Sequence, residues 1–330
     1  MRTLKRLLLI ISSITILLIG WFYLHIHSNI KLPTATYELS IQPGSNLKQI
    51  SQQLANAGII PSQWTFIILA RYLNHESAIK AGDYELTGNL SQIALLDYLI
   101  KGNAKQNEIK FIEGWTFAQI RKVLNEHPAI EYKSAGLSDQ QILHHIGASE
   151  TAAEGIFFPD TYYFIKGSSD LDILQRAYKS MQNHLQNYWS ERVESLPLNT
   201  PYEALILASI IEKETGAESD RAEIAGVFIN RLRKGMKLQT DPTVIYGLGE
   251  QFDGNLRKKD LLADQEYNTY TRAGLPPTPI SLPSLASIRA ALNPAETDAL
   301  YFVAKGNGES EFSTNLADHN KAVNKYQKQQ

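Results

Sequence analysis

Residues 7–24 contain no charged side chain and are mostly Leu and Ile, and they come directly after Arg2, Lys5 and Arg6. At 1.5 Å of rise per residue, about 18 apolar residues make just enough helix to cross a hydrocarbon core about 30 Å thick. Cationic residues on the short N-terminal side place that side in the cytoplasm. Trp21, Phe22 and Tyr23 suit the opposite interface, where amphipathic rings collect. A cleaved signal peptide carries similar charge and apolar runs, but it ends in a small-residue cleavage site. Here the run continues into the bulky Leu24-His25-Ile26-His27. The expectation is a retained single-pass anchor in a cytoplasmic (inner) membrane. Residues 1–6 would then be cytoplasmic, residues 7–26 would span the membrane, and the rest would lie on the periplasmic or extracytoplasmic side.

Beyond the anchor, the chain must fold as ordinary globular protein. Of the 330 residues, 43% are hydrophobic and 20% charged, which allows a sizeable core and about two domains. The formal net charge of −2 argues against a nucleic-acid binder, which usually carries a basic face. Cysteine is absent, which removes disulfides, thiolate metal sites and a cysteine nucleophile.

Residues 27–36 read as a linker. A small α+β module occupies residues 37–104. Tyr37-Glu38-Leu39-Ser40-Ile41 alternates as a strand, and Leu47, Ile50 and Leu54 recur at helical spacing. Ser62 is placed to cap a second helix, residues 81–86 form a second strand, and residues 91–101 form a third helix closed by Gly102. Residues 105–330 form a larger α+β domain. Its expected elements are a strand at 107–112 and helices at 116–125, 133–150, 169–193, 201–215, 219–234 and 285–293. A hairpin around Lys305-Gly306-Asn307-Gly308 and a polar helix from Asp318 complete it. Residues 236–283 are rich in Gly, Pro, Thr, Tyr and Asn and read as an ordered loop region.

The helix at 201–215 is apolar almost all round between Ala204 and Ile211, and so should be buried. It ends in Glu212-Lys213-Glu214. A carboxyl group at the end of such a helix meets a desolvation cost that keeps it protonated towards neutrality, as a general acid requires. Glu212 continues the face of Leu205, Ala208 and Ser209, whereas Glu214 lies about 200° away around the axis. Composition alone favours a bland reading, in which both glutamates mark the solvated end of a core helix. Downstream, Gln239, Thr240, Asp241, Asn268 and Tyr270 supply amides, hydroxyls, a carboxylate and a ring without a basic cluster. Such groups line a carbohydrate groove, but they also knit turns together. Asp241 reads as a partner in the site or as the cap of a turn before Pro242. Glu218 and Arg221 read as groove rim or, more plainly, as a helix-surface pair. The adjacent His144-His145 lacks metal-ligand spacing. No His-Glu-x-x-His, Gly-x-Ser-x-Gly or phosphate-loop motif occurs.

Several motifs together resemble one family. They are Ala208-Ser209-Ile210-Ile211-Glu212-Lys213-Glu214-Thr215, Val227-Phe228-Ile229-Asn230-Arg231-Leu232, Leu238-Gln239-Thr240-Asp241-Pro242-Thr243, Tyr267-Asn268-Thr269-Tyr270 and Gly274-Leu275-Pro276-Pro277. Glu154-Gly155, Phe158-Pro159-Asp160-Thr161-Tyr162 and Asn315-Leu316-Ala317-Asp318-His319 extend the match. The chain resembles the endolytic murein transglycosylases, the YceG-like proteins, over essentially its whole length.

The resemblance implies a LysM-like first module, a YceG-like catalytic domain, and no metal or cofactor. It implies cleavage between N-acetylmuramic acid and N-acetylglucosamine within nascent peptidoglycan glycan strands, giving 1,6-anhydro ends and terminating polymerisation. It maps the catalytic glutamate onto Glu212, with Gln239, Thr240, Asp241, Asn268 and Tyr270 as substrate-binding candidates. It makes glycan strands the substrate and peptidoglycan synthases expected partners. The competing reading is a non-catalytic envelope scaffold that binds glycan and recruits synthases.

Overall fold

The structure is a computed structural model that describes all residues except 1, 43, 89, 103–106, 215–217 and 328–330. The chain divides into two compact units, one of Met1–Asn107 with Tyr163–Gly167 and one of Glu108–Tyr162 with Ser168–Gln330.

The first unit opens with α1 (Arg2–His27), in which Leu8–His27 is long and apolar enough to cross a membrane and is 6% buried. Then come β1 (Thr36–Ile41), α2 (Leu47–Asn56), α3 (Gln63–Tyr72), β2 (Gly82–Thr87) and α4 (Gln92–Lys101). β1 and β2 pair antiparallel in a register that sets Leu39 opposite Tyr84 and Tyr37 opposite Leu86. Directly opposite residues share a face of the ribbon, so period-2 patterning puts Leu39, Ile41, Tyr84 and Leu86 into one core with Leu54, Phe66 and Leu95. The buried Tyr84 phenol is satisfied by donating to Lys80 O at 2.7 Å. Helices α2, α3 and α4 start on side-chain caps: Asn46 and Gln49 form a capping box, Ser62 accepts from Trp64 N, and Ser91 accepts from Ala94 N. The Tyr163–Gly167 segment returns to this unit, where Lys166 N donates to Asp83 Oδ2 at 2.8 Å.

The second unit contains β3 (Asn107–Lys110), α5 (Phe117–Glu126), β4 (Ile130–Glu131), α6 (Asp139–Ile146), β5 (Thr161–Phe164), β6 (Ser168–Ser169), α7 (Asp170–Ser190), α8 (Pro201–Glu214), α9 (Glu218–Arg233), α10 (Asp241–Leu248), α11 (Lys258–Leu262), α12 (Leu285–Leu292), β7 (Tyr301–Ala304), β8 (Ser310–Ser313) and α13 (Leu316–Tyr326). Its sheets are two-stranded: β3 with β5, β4 with β6 in parallel, and β7 with β8 as an antiparallel hairpin. The middle of α8 is the core of this unit, since every residue from 204 to 211 is buried. Leu205, Leu207, Ile210 and Ile211 are each 0% exposed, and burying each contributes about 1.5–3 kcal/mol. α12 packs against α8, and α7, α9 and α10 also touch it.

Several expectations need correction. Of residues 133–150, only Asp139–Ile146 is helical, between a Ser138 capping box and the left-handed Gly147. The strand expected at 107–112 ends at Lys110. The region 236–283 contains two helices, α10 and α11. Thr240 stands at the N-cap position of α10 without a side-chain cap bond, Asp241 opens the helix, and Pro242 stands in its first turn, where its missing N–H would have no partner anyway. Asp241 is thus a helical residue rather than a cap. The 3.6-residue spacing of Leu171, Leu174, Ala177, Met181, Leu185 and Tyr188 predicts the buried stripe of α7; Ile173 and Tyr178 join it, while Leu171 and Tyr188 are partly exposed. Thr215, expected as the last residue of the buried helix, lies outside the described residues.

Candidate active site

Glu212 lies at the C-terminal end of α8, and its side chain is 8% exposed. The chain segment that meets it is set by Ser209, one turn earlier. On a buried helix a serine hydroxyl needs partners, and Ser209 Oγ donates to Ile206 O at 2.7 Å and accepts from Ile280 N at 3.0 Å. Ser281 Oγ adds a bond to Ser209 O at 3.2 Å. Residues 280–284 are therefore docked along α8, and they deliver the N-terminus of α12 to Glu212. There Glu212 Oε2 accepts from Ser284 N at 2.8 Å, Ser284 Oγ at 2.5 Å and Ser287 Oγ at 2.7 Å. Ser284 also caps α12 by accepting from Ser287 N, so one side chain fixes both the helix start and the carboxyl group. The helix N-terminus adds favourable dipoles at the same point.

Glu212 Oε1 faces Arg221 Nη2 of α9 at 3.9 Å. Arg221 is only 11% exposed and its Nε has no partner among the described residues, so it is a buried cation beside the carboxyl rather than a surface residue. The side chain of Glu218 lies outside the described residues. A further carboxyl shares this field. Burial, together with the charge of Glu212, raises the pKa of Glu113 against the opposing effect of Arg221. The turn holding Glu113 is tied to both supports of Glu212. Gly114 N donates to Leu282 O at 2.8 Å, Leu282 N donates to Trp115 O at 2.7 Å, and Lys213 Nζ donates to Gly114 O at 3.3 Å. Sequence reasoning passed over Glu113, Ser284, Ser287 and the burial of Arg221. The one available signal was the Glu-Gly-Trp-Thr turn, a charged and aromatic stretch with a forced glycine at φ 74°.

The remaining candidates gather elsewhere. Glu214 accepts from Thr240 Oγ1. Desolvation pushes its carboxyl up to about 7, with Thr240 opposing and the charge of Asp241 adding to the rise. Gln239, Asp241 and Tyr270 line the same cavity as Glu214, and Tyr270 Oη donates to Asp241 Oδ1 at 2.5 Å. Thr240 is 2% exposed and acts inside this network. Asn268 is 0% exposed: its Nδ2 donates to Asp260 O, Leu261 O and Ala263 O, and its Oδ1 accepts from Tyr270 N, so it staples the loop that presents Tyr270. Glu212 is not among the residues lining that cavity. The two glutamates of α8 thus serve two environments.

Glu154 is the other desolvated acid. It accepts from Phe117 N at 3.0 Å and from Tyr246 Oη at 3.1 Å, joining the start of α5 to α10. Burial pushes it up to about 7, against those hydrogen bonds. Gly155, at φ 76°, leaves no room for a side chain, because a Cβ there would sit 2.3 Å from Pro279 Cβ and 2.9 Å from Ser281 O. This pair therefore supports the segment that holds Glu212. The Asn315 motif is a helix start: Asn315 caps α13 by accepting from Asp318 N at 3.0 Å. No cluster of His, Cys, Asp and Glu suited to a metal ion occurs among the described residues.

The fold agrees with the sequence relationships. The YceG-like family model matches residues 39–325, and the chain belongs to that family. It is 34% identical over 309 residues to a Bacillus subtilis protein named endolytic murein transglycosylase, covering 88% of this chain and 85% of that one. A Streptococcus pneumoniae protein of the same name is 29% identical over 319 residues; the match covers 86% of this chain but 57% of the longer relative. The crystal structure of a putative yceG-like protein from Listeria monocytogenes superposes with a TM-score of 0.56 at 31% identity, covering 87% of this chain and 98% of that one.

Proposed function

We propose that this chain is an endolytic murein transglycosylase anchored by α1, with Glu212 as its catalytic acid and base. The observation that carries the assignment of Glu212 is its setting. The carboxyl ends a buried helix, Oε2 is oriented by three donors from Ser284 and Ser287, and Oε1 lies toward Arg221. Such a group is held in place without being spent on a simple salt bridge, and preorganisation of this kind is what catalysis requires.

In the reaction, Glu212 gives its proton to the glycosidic oxygen as the bond from muramic acid C1 breaks. The resulting carboxylate then takes the proton from the muramic acid O6 hydroxyl as O6 bonds to C1. The proton returns to Glu212 and no water is consumed, so a single carboxyl serves where hydrolases use two. Arg221 would moderate the carboxylate between the steps.

The strand–helix–helix–strand order of β1, α2, α3 and β2 supports reading residues 37–104 as a LysM-like, glycan-binding module. The cationic residues before α1 support a cytoplasmic N-terminus and an extracytoplasmic enzyme, within reach of nascent glycan and the synthases that make it. A purely structural glycan-binding scaffold would not need a carboxyl oriented in this way.

The test is to incubate the full chain in detergent micelles with purified peptidoglycan and analyse the new ends by mass. Wild-type protein should release 1,6-anhydromuramoyl ends, and Glu212→Gln should release none. Equal product from the variant refutes the catalytic assignment, and reducing muramic acid ends refute the water-free reaction.

A further inference from the structure

Three large apolar side chains outside α1 stand exposed together on one helix. Trp64, Ile68 and Tyr72 of α3 are 59%, 52% and 79% exposed. Their four-residue spacing sets them on one stripe, while Phe66, Leu69 and Ala70 turn the opposite face into the core of the first unit. A contiguous apolar face left in water marks an interaction surface. α3 contains no acidic residue, and its one cation, Arg71, is exposed and paired with Glu76 at 3.2 Å.

The way α1 joins this unit says what covers the stripe. At about 1.5 Å per residue, the 20 residues of Leu8–His27 use the whole thickness of a hydrocarbon core about 30 Å thick. The upper end of that helix is not free chain. Ile26 and Ile30 are buried in the core of the first unit, and Phe22, one turn below Ile26, packs against the same core. Ile30 N donates to Leu90 O at 2.7 Å, and Asn29 pairs with Ser91. α3 reaches α1 through one relay: Thr65 Oγ1 donates to Gln92 Oε1 at 3.2 Å, and Gln92 Nε2 donates to His25 O at 3.4 Å. Thr65 follows Trp64 in the chain and lies about 60° around the helix from Ile68, so the stripe borders the side of α3 that faces the anchor. The core thus begins at Phe22, inside the apolar span, and α3 lies beside the point where α1 leaves the hydrocarbon.

We propose that the Trp64, Ile68 and Tyr72 face of α3 lies in the headgroup region of the bilayer that α1 crosses, so that the first unit docks on the membrane surface beside its own anchor. The residue types fit that depth: tryptophan and tyrosine collect at membrane interfaces, where the ring meets acyl chain and the polar tip meets water. A helix lying in the interface buries such a face about 5–10 Å into the headgroup–acyl boundary. The packing of Phe22, Ile26 and Ile30 removes the freedom that a flexible tether would leave, and so presents the stripe to the lipid without further ordering cost. This inference rests on the reading of α1 as a membrane anchor.

The test reconstitutes the full chain into phosphatidylethanolamine–phosphatidylglycerol vesicles whose acyl chains are brominated either near the glycerol or near the chain end. Tryptophan emission is compared among the wild type, Trp21→Phe and Trp64→Phe, so that the differences isolate the Trp21 and Trp64 shares. The Trp64 share should be quenched by the shallow bromines and spared by the deep ones. Ile68→Ser combined with Tyr72→Ser keeps Trp64 but thins the stripe, and should weaken that quenching. The Trp21 share reports insertion of α1. A quenched Trp21 share with an unquenched Trp64 share overturns the docking and leaves the anchor standing; neither share quenched overturns both. Trp64 quenching that the double serine variant leaves unchanged overturns the role of the stripe. A Trp64 share that escapes the bromines and shifts to shorter wavelength only as the chain is concentrated means that a second copy covers the stripe, and also overturns the docking.

Discussion

Replacing Glu154 by Gln should remove a large part of the pH dependence of stability of the second unit. The carboxyl is 8% exposed, and burial lifts it from its ordinary 4.5 to about 7. A carboxyl raised in the folded state binds its proton more tightly there than in the unfolded chain. Its stabilising effect is complete below about pH 4.5 and is lost as the pH rises through about 7. The rise from 4.5 to about 7 corresponds to about 3 kcal/mol lost across that window from this one group. Glutamine keeps an acceptor for Phe117 N and offers an amide to Tyr246, so both bridges can survive the change. Glu214 titrates in the same window but is common to both proteins, so their difference isolates Glu154. The assay is urea unfolding of the full chain in detergent at pH 5 and pH 8, monitored by far-UV circular dichroism. The wild type should lose about 2 kcal/mol more than Glu154→Gln between the two pH values, since pH 5 already lies inside the window. Equal losses would mean that Glu154 is ionised in the fold, and would refute the desolvation argument.

Two further substitutions probe the supports of the site. Gly155→Ala combines a left-handed backbone with a Cβ driven into Pro279 and Ser281 O; it should cost about 3 kcal/mol, seen as a fall of about 6–12 °C in melting temperature, with activity lost because the 280–284 segment shifts. Asn268→Ala leaves the carbonyls of Asp260, Leu261 and Ala263 without their donor and should cost at least about 2 kcal/mol by urea unfolding.

The local features were legible because they depend on near neighbours. A charge-free run of residues makes a helix long enough for a membrane whatever surrounds it. Ser62 starts a helix because its side-chain oxygen reaches a backbone N–H two residues on, and the structure adds the same device at Asn46, Ser91 and Asn315. An all-round apolar α8 had to be buried, but composition left open whether the carboxyls at its end were desolvated or solvated. Composition misled at α10, where Pro, Thr and Gly suggested a loop. An N-terminal proline and packing against α8 outweighed propensity there.

Which groups that carboxyl would meet was not legible. Ser284 and Ser287 stand 72 and 75 residues from Glu212, and only docking of the 280–284 segment onto Ser209 brings them there. The fold likewise assembled Gln239, Asp241 and Tyr270 around Glu214 rather than Glu212, and made Glu154 and Glu214 the acids pushed up to about 7. Sequence by itself determined an N-terminal helix long and apolar enough to cross a membrane, the Ser62 cap and the buried helix with its terminal glutamates, because periodicity and capping act over one or two turns. Tertiary structure alone decided which glutamate meets which partners, because hydrogen-bond geometry and desolvation are set by residues distant in the chain.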